Sequence, residues 1–232
     1  RVVKNHMYYV LGLSILTASF NSIVLNKAGV SKKETVFKFN FLCSLVWCVI
    51  LFFTNNCTLH LNSQIVLWGV LYGTAQICFL LSKTGAMSTG SVSVTTLIGN
   101  SSLLISVFVS MSLWKEAVTF VDITGLLILC ISIFLCTYKK AESGYKKSWK
   151  YFIILFFVFA ASVGIIFKAF GKAGNLSYCG DMMLFSAIIM TITSFIISLF
   201  VKASSAKNQN TEAKRKFLIY AFASGVLSCL YN

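Results

Sequence analysis

The sequence predicts an all-α polytopic membrane protein, and three observations carry that reading. Hydrophobic residues make up 57% of the 232 and charged residues only 11%, far less charge than a water-soluble domain needs on its surface. Apolar runs recur along the chain at close to the ~20 residues that cross a bilayer. The Lys and Arg sit almost entirely between those runs, where topology signals belong. The net charge of +14 is therefore read as loop charge facing anionic lipid headgroups. No basic stripe with interleaved aromatics points to nucleic acid.

Eight spans can be placed in order. The first covers residues 7–25 and is followed by Lys27, Lys32, Lys33 and Lys38. The second covers 39–53, and the loop after it, 54–64, has no Lys or Arg. The third covers 65–81, the fourth 88–114 and the fifth 120–137. A basic linker at 138–150 leads to the sixth span at 151–170 and the seventh at 182–201. A second linker, 202–216, carries five basic residues before a last apolar run from Phe217. That run has 16 residues, short for a crossing, so the chain is expected to stop inside an eighth helix. Residues 1–6 read as an extension ahead of Met7, and no cleavable signal peptide is expected. With no proline in the chain, any bend falls to Gly or Ser.

The fourth span differs from the rest. It carries Ser91, Ser93, Thr95, Thr96, Asn100, Ser101, Ser102, Ser106 and Ser110. Small hydroxyl residues in a span allow close helix packing or line a path that is not lipid. An amide buried in lipid without a partner is costly. Asn100 and Ser101 have two readings, interhelical bonds or substrate contact, and Asn21 and Gln76 raise the same pair. Thr95 belongs with that polar face. Tyr72 offers a ring and a hydroxyl to a substrate, or anchors at an interface. Gly69 and Gly73 form a G-x-x-x-G packing face. Lys168 is the one charge expected well inside a span; it either snorkels to the headgroups or serves as a cavity cation for a carboxylate or phosphate.

Catalytic signatures are missing. His6 and His60 lie outside the apolar cores, and neither a P-loop nor a G-x-S-x-G elbow occurs. The acids Glu34, Glu116, Asp122, Glu142, Asp181 and Glu212 fall at or beyond the ends of the spans. The eight cysteines form no C-x-x-C and read as small buried hydrophobes. No enzyme activity, cofactor or metal is expected.

An internal echo organises the chain. Leu25-Asn26-Lys27-Ala28-Gly29 parallels Phe170-Gly171-Lys172-Ala173-Gly174, and Leu67 to Gly73 parallels Ile219 to Gly225. The first span then matches the sixth and the third matches the eighth. A repeat of five spans, being odd, inserts its second copy upside down, as in secondary transporters. The expected division is 1–138 as the first repeat, 139–150 as linker and 151–232 as an incomplete second repeat.

Gly85-Ala86-Met87-Ser88, the Ser/Thr-rich span, Leu113-Trp114-Lys115-Glu116 and Ile123-Thr124-Gly125-Leu126-Leu127-Ile128 resemble the signature of the drug/metabolite transporter superfamily, EamA type. Glu116 after the fourth span and Gly125 early in the fifth are the residues that carry the likeness. The resemblance is specific over 85–136 and covers the layout of the rest. It implies ten helices in two inverted five-helix repeats around a central cavity, of which about eight are present here. It implies a small-molecule cargo such as amino acids, nucleotide sugars or drugs. The chain departs from the pattern by lacking a proline in the fourth span and by ending before the ninth and tenth.

The expectation is a multi-pass permease or exporter in the plasma (inner) membrane, working by alternating access. Its partners are the lipid bilayer, a small-molecule substrate and, as a candidate, a second copy in a homodimer. The alternative is an integral membrane protein, or a truncated fragment, that transports nothing. Because about three quarters of the 20 Lys and Arg follow odd-numbered spans, the odd loops are placed in the cytoplasm and the N-terminus outside. A reporter fused after Lys147 should be active on the cytoplasmic face only; activity confined to the outer face would refute this orientation.

Overall fold

A computed structural model of the protein describes residues 13, 16–17, 20–24, 33–116, 119–138, 147–200 and 211–231. Among them the regular elements are helices, with no strand. The described residues from 13 to 24 are helical and are called α1. Then come α2 (Lys33–Thr54), α3 (Ser63–Thr89), α4 (Val92–Asn100), α5 (Ser102–Trp114) and α6 (Phe120–Tyr138). They are followed by α7 (Lys147–Phe170), α8 (Cys179–Phe200) and α9 (Thr211–Tyr231).

Four stretches are long and apolar enough to cross a membrane: Val36–Thr54, Ser63–Thr89, Val94–Trp114 and Ser148–Phe200. The last has 53 residues, about 80 Å if wholly helical and far more than the ~30 Å hydrocarbon core. It breaks where α7 passes into a π turn at Gly171–Asn175 and a 3-10 turn at Leu176–Tyr178. Gly174 there has φ +85°, a left-handed conformation open to a residue without Cβ.

The distribution of side chains agrees with lipid as the solvent. Large apolar residues such as Leu67, Leu103, Phe108, Ile128 and Leu199 are exposed, while Asn21, Gln76, Thr95, Ser186 and Ser224 are buried. In water this pattern would be unfavourable on both counts. The chain is an α-helical membrane protein.

Two compact units interleave along the sequence. One comprises Arg1–Gly69 with Gly180–Asn232, the other Val70–Cys179. This is a different partition from the expected repeats, which divide near residue 138. In the first unit α2 lies along α9. Phe39 meets Phe217 edge-on at 5.7 Å, and the Cys43 thiol donates to the Ala221 carbonyl at 3.2 Å. Gly225 makes that approach close: a Cβ there would stand 2.8 Å from the Val46 Cβ and 2.9 Å from the Cys43 carbonyl oxygen. Phe41 reaches Phe195 of α8, and Gly69 lies under Phe185.

In the second unit α7 packs on α4 and α5. Its aromatic edge, Trp149, Phe152 and Phe156, sits at helical spacing. These rings occupy the space that side chains at Gly90, Gly85 and Gly99 would fill. Further along, Gly164 faces Ser106, and Phe167 lies against Tyr72 with ring centroids 6.2 Å apart. Glycine in a helix interior costs about 1 kcal/mol against alanine, and here it admits an aromatic ring to the helix backbone.

Several expected boundaries move. The third span was expected to stop at Leu81, but α3 continues to Thr89. Ser82 and Thr84 bond back to the Cys78 and Leu80 carbonyls, satisfying their hydroxyls within the helix. Lys83 therefore lies inside a helix and not in a loop, and Lys168 is not the one charge well inside a span. The fourth span begins later than expected: Ser91 is extended between α3 and α4, while Ser101, between α4 and α5, keeps right-handed helical backbone angles and its N–H bonds to the Leu97 carbonyl. The last helix begins at Thr211, not Phe217, and has 21 residues; Glu212, Ala213, Lys214 and Arg215 are good helix formers and extend it. The N-terminal side of the echo, 25–29, and most of both basic linkers lie outside the described residues.

Replacing Gly225 with Leu is expected to lower stability by roughly 1–3 kcal/mol through overpacking against α2. At Gly125 an added Cβ meets nothing within 4 Å, so Gly125→Ala should be neutral or stabilising by up to about 1 kcal/mol. Thermal unfolding of both variants in detergent checks the contrast.

Candidate functional site

The polar residues singled out from the sequence fall in both compact units. Asn21 of α1 is 1% exposed and lies in the first unit. It accepts a hydrogen bond from the Ser224 hydroxyl at 2.6 Å and donates to the Ser228 hydroxyl at 3.2 Å. Ser224 and Ser228 are four residues apart, so one face of α9 supplies both partners. This amide joins two helices.

The second unit holds the rest. Gln76 is the middle residue of α3 (Ser63–Thr89), and its amide donates to the Tyr72 hydroxyl at 3.0 Å. Tyr72, Gln76, Phe79 and Lys83 follow at intervals of four, three and four, which places them on one helical face. Tyr72, Gln76 and Lys83 are all buried. Phe79 meets Phe156 of α7 at 5.2 Å, and the Lys83 ammonium stands 5.9 Å from the Phe79 ring centre. On α4, Thr95 is fully buried and accepts a bond from the Trp149 indole N–H at 3.2 Å. Ser101 is buried and donates to the Ile98 carbonyl. Asn100 was expected to face a neighbour helix or a cavity, but its side chain is exposed while Gly99, Ser101 and Ser102 around it are buried. The ~100° turn per residue rotates Asn100 away from the Gly99 face that meets Phe156.

Lys168 proves to be a paired cation. It donates to the Ser110 hydroxyl at 2.8 Å, forms an ion pair with Glu116, and stands 5.7 Å from the Trp114 ring centre. Lys172, one turn on, pairs with the other oxygen of Glu116 at 2.9 Å. Lys115 takes a left-handed conformation, φ +49°, which ends α5 and leaves Glu116 beside both lysines. The hydrogen bonds from Lys168 and then Lys172 hold the Glu116 carboxyl below its ordinary value of 4.5. Of the glycines expected to matter, Gly69 packs under Phe185, Gly73 is buried, and Gly125 is open.

Three features escaped the sequence reading. One is Lys83. The second is Asp181 in the first turn of α8, 4% exposed, which belongs to the first unit. Its carboxylate accepts bonds from the Asn55 amide at 2.6 Å and the His60 backbone N–H at 3.1 Å, with the His60 ring at 3.3 Å. A carboxylate at a helix N-terminus is favoured by the dipole, and here it also pins the turn that follows α2. The third is Trp47, whose indole nitrogen is buried in α2 without a hydrogen-bond partner among the described residues. A Trp in an apolar run is ordinary in sequence, and only packing reveals the orphaned donor.

Among the described residues no group of three or more His, Cys, Asp or Glu is placed to hold a metal ion. No protein-family model matches the chain, and a search of curated proteins finds no match.

Because the folded Glu116 carboxyl lies below 4.5, its two ion pairs contribute above that pH and are lost as pH falls through the lower, folded value. The unfolding midpoint of the wild type should therefore fall more steeply below about pH 4.5 than that of Glu116→Gln, which lacks the group. Equal slopes for the two proteins would refute the assignment.

Proposed function

We propose that the protein is a secondary transporter of small metabolites, of the EamA type that residues 85–136 resemble, working by alternating access in the plasma (inner) membrane. The observation that carries this reading is the buried polar face of α3. Tyr72, Gln76 and Lys83 lie within one long apolar helix, and polar or ionisable groups inside a membrane helix are costly enough to be functional by default. The extended break at Ser91, ahead of the adjoining span, supports it, since transporter sites are built at broken helices. In this reading Tyr72, Gln76, Lys83 and Thr95 line the substrate path. Rocking of one inverted repeat against the other opens that path to each side in turn.

A second reading, a membrane protein that moves nothing, draws on a specific observation. Asn21, Gln76, Thr95 and Lys168 each have an intramolecular partner, as residues that only hold helices together would. Gln76→Leu separates the two. A transporter loses uptake or efflux about tenfold or more while the variant still inserts at wild-type level. Metabolite profiling of cells with and without the protein, combined with membrane-fraction immunoblots, is the measurement. Loss of the inserted protein itself would assign Gln76 to packing.

A further inference from the structure

We infer that Lys83 is the counter-charge of an oxyanion, a carboxylate or phosphate group carried by the transported solute. The inference rests on the transporter reading and names the chemical class of its cargo. Lys83 is 7% exposed and sits seven residues beyond Gln76, the middle of α3. That offset is about 10 Å along the axis, inside the hydrocarbon region for a helix centred on the bilayer.

The contact that Lys83 makes bears on the alternative, snorkelling. A lysine that snorkels extends its ammonium to the nearer interface, here the C-terminal end of α3. The Lys83 ammonium instead stands over Phe79, one turn towards the N-terminus, as the tilt of helical side chains favours. The ammonium therefore stands beside the Phe79 ring, on the helical face that also carries Tyr72 and Gln76.

Nothing described in the chain neutralises it. No ion pair or hydrogen bond to the Lys83 ammonium is found among the described residues, and the ring of Phe79 is its one polar contact. The two acids whose side chains are described are committed elsewhere. Glu116 is held by Lys168 and Lys172, and Asp181 by Asn55 and His60. Ser82 and Thr84 beside Lys83 spend their hydroxyl protons on α3 carbonyls. An ammonium held inside a membrane helix without an anion is unfavourable, and a cation–π contact alone does not offset that cost. An incoming oxyanion would meet that charge, and the Gln76 amide two turns away is a second donor on the same helical face.

The test uses the purified full chain in detergent. Its unfolding midpoint is followed with sodium phosphate or sodium succinate against sodium chloride at equal ionic strength. The wild type and Lys83→Arg should be shifted upward by at least one of the two oxyanions. Lys83→Met, which replaces a buried cation with an apolar chain of similar length, should fold and show no shift. A shift with phosphate alone or with succinate alone identifies the group recognised. An equal shift in Lys83→Met, or no shift in the wild type with either anion, overturns the proposal.

Should Lys83→Met fail to fold, labelling of the wild type decides. The amine condenses with the aldehyde of pyridoxal 5′-phosphate, water leaves, and borohydride reduces the imine to a secondary amine. Peptide mass spectrometry should find Lys83 labelled and protected by the same oxyanion. Absence of protection overturns the site. If the oxyanion binds at Lys83 but vesicles carrying the protein accumulate neither anion nor any related solute, the transport reading fails while the binding site stands.

Discussion

The second unit depends on one kind of contact, aromatic rings of α7 seated on glycines. Trp149, Phe152 and Phe156 take the space of absent side chains at Gly90, Gly85 and Gly99. In a bilayer the hydrophobic effect does not drive helices together, because lipid tails are as apolar as leucine. Association then rests on close van der Waals packing and on hydrogen bonds between helices. Rings against bare backbone supply the first, and the Trp149 bond to Thr95 supplies the second at the same place. The first unit uses the same device, with Gly225 against α2 and the Asn21 amide bonded to α9.

Charge is distributed by the same constraint. Glu116 collects Lys168 and Lys172 just past the end of α5, and Asp181 collects Asn55 and His60 in the first turn of α8. Both clusters sit where a helix stops and backbone groups need partners. Lys83 breaks this rule. It is an ammonium placed inside a helix, with an aromatic ring as its neighbour. A packing function is a poor explanation for it, since a leucine would fill the space at lower cost. The same question put to Gln76 has a milder answer, because its bond to Tyr72 already satisfies part of the amide.

The proposed EamA-type reading joins these observations without deciding among them. The two residues that carry the likeness have contrasting surroundings. Glu116 is an ion-pair hub, whereas Gly125 faces open space. Polar side chains in the membrane that satisfy one another are equally the means of building a rigid scaffold and the lining of a path. The distinction lies in whether any of them also meets a solute, and Lys83 has the strongest physical reason to do so.

Composition and the spacing of apolar runs were enough to read an α-helical membrane protein, because hydrophobic thickness and charge placement are properties of local sequence. They also marked the polar fourth span, Gln76 and Lys168 as residues out of place in lipid. The partners of those residues were not legible. The Glu116 pair with Lys168 spans 52 positions and the Asn21 bond with Ser224 spans 203, and no local pattern encodes such separations. Lys83 was hidden for a different reason. Its charge argued for the end of a span, while back-bonded Ser82 and Thr84 and the packing of Phe79 on Phe156 carried the helix past it. By itself the sequence determined the solvent and the helical class. Only the tertiary packing decided which polar groups are paired and which charge remains to be met.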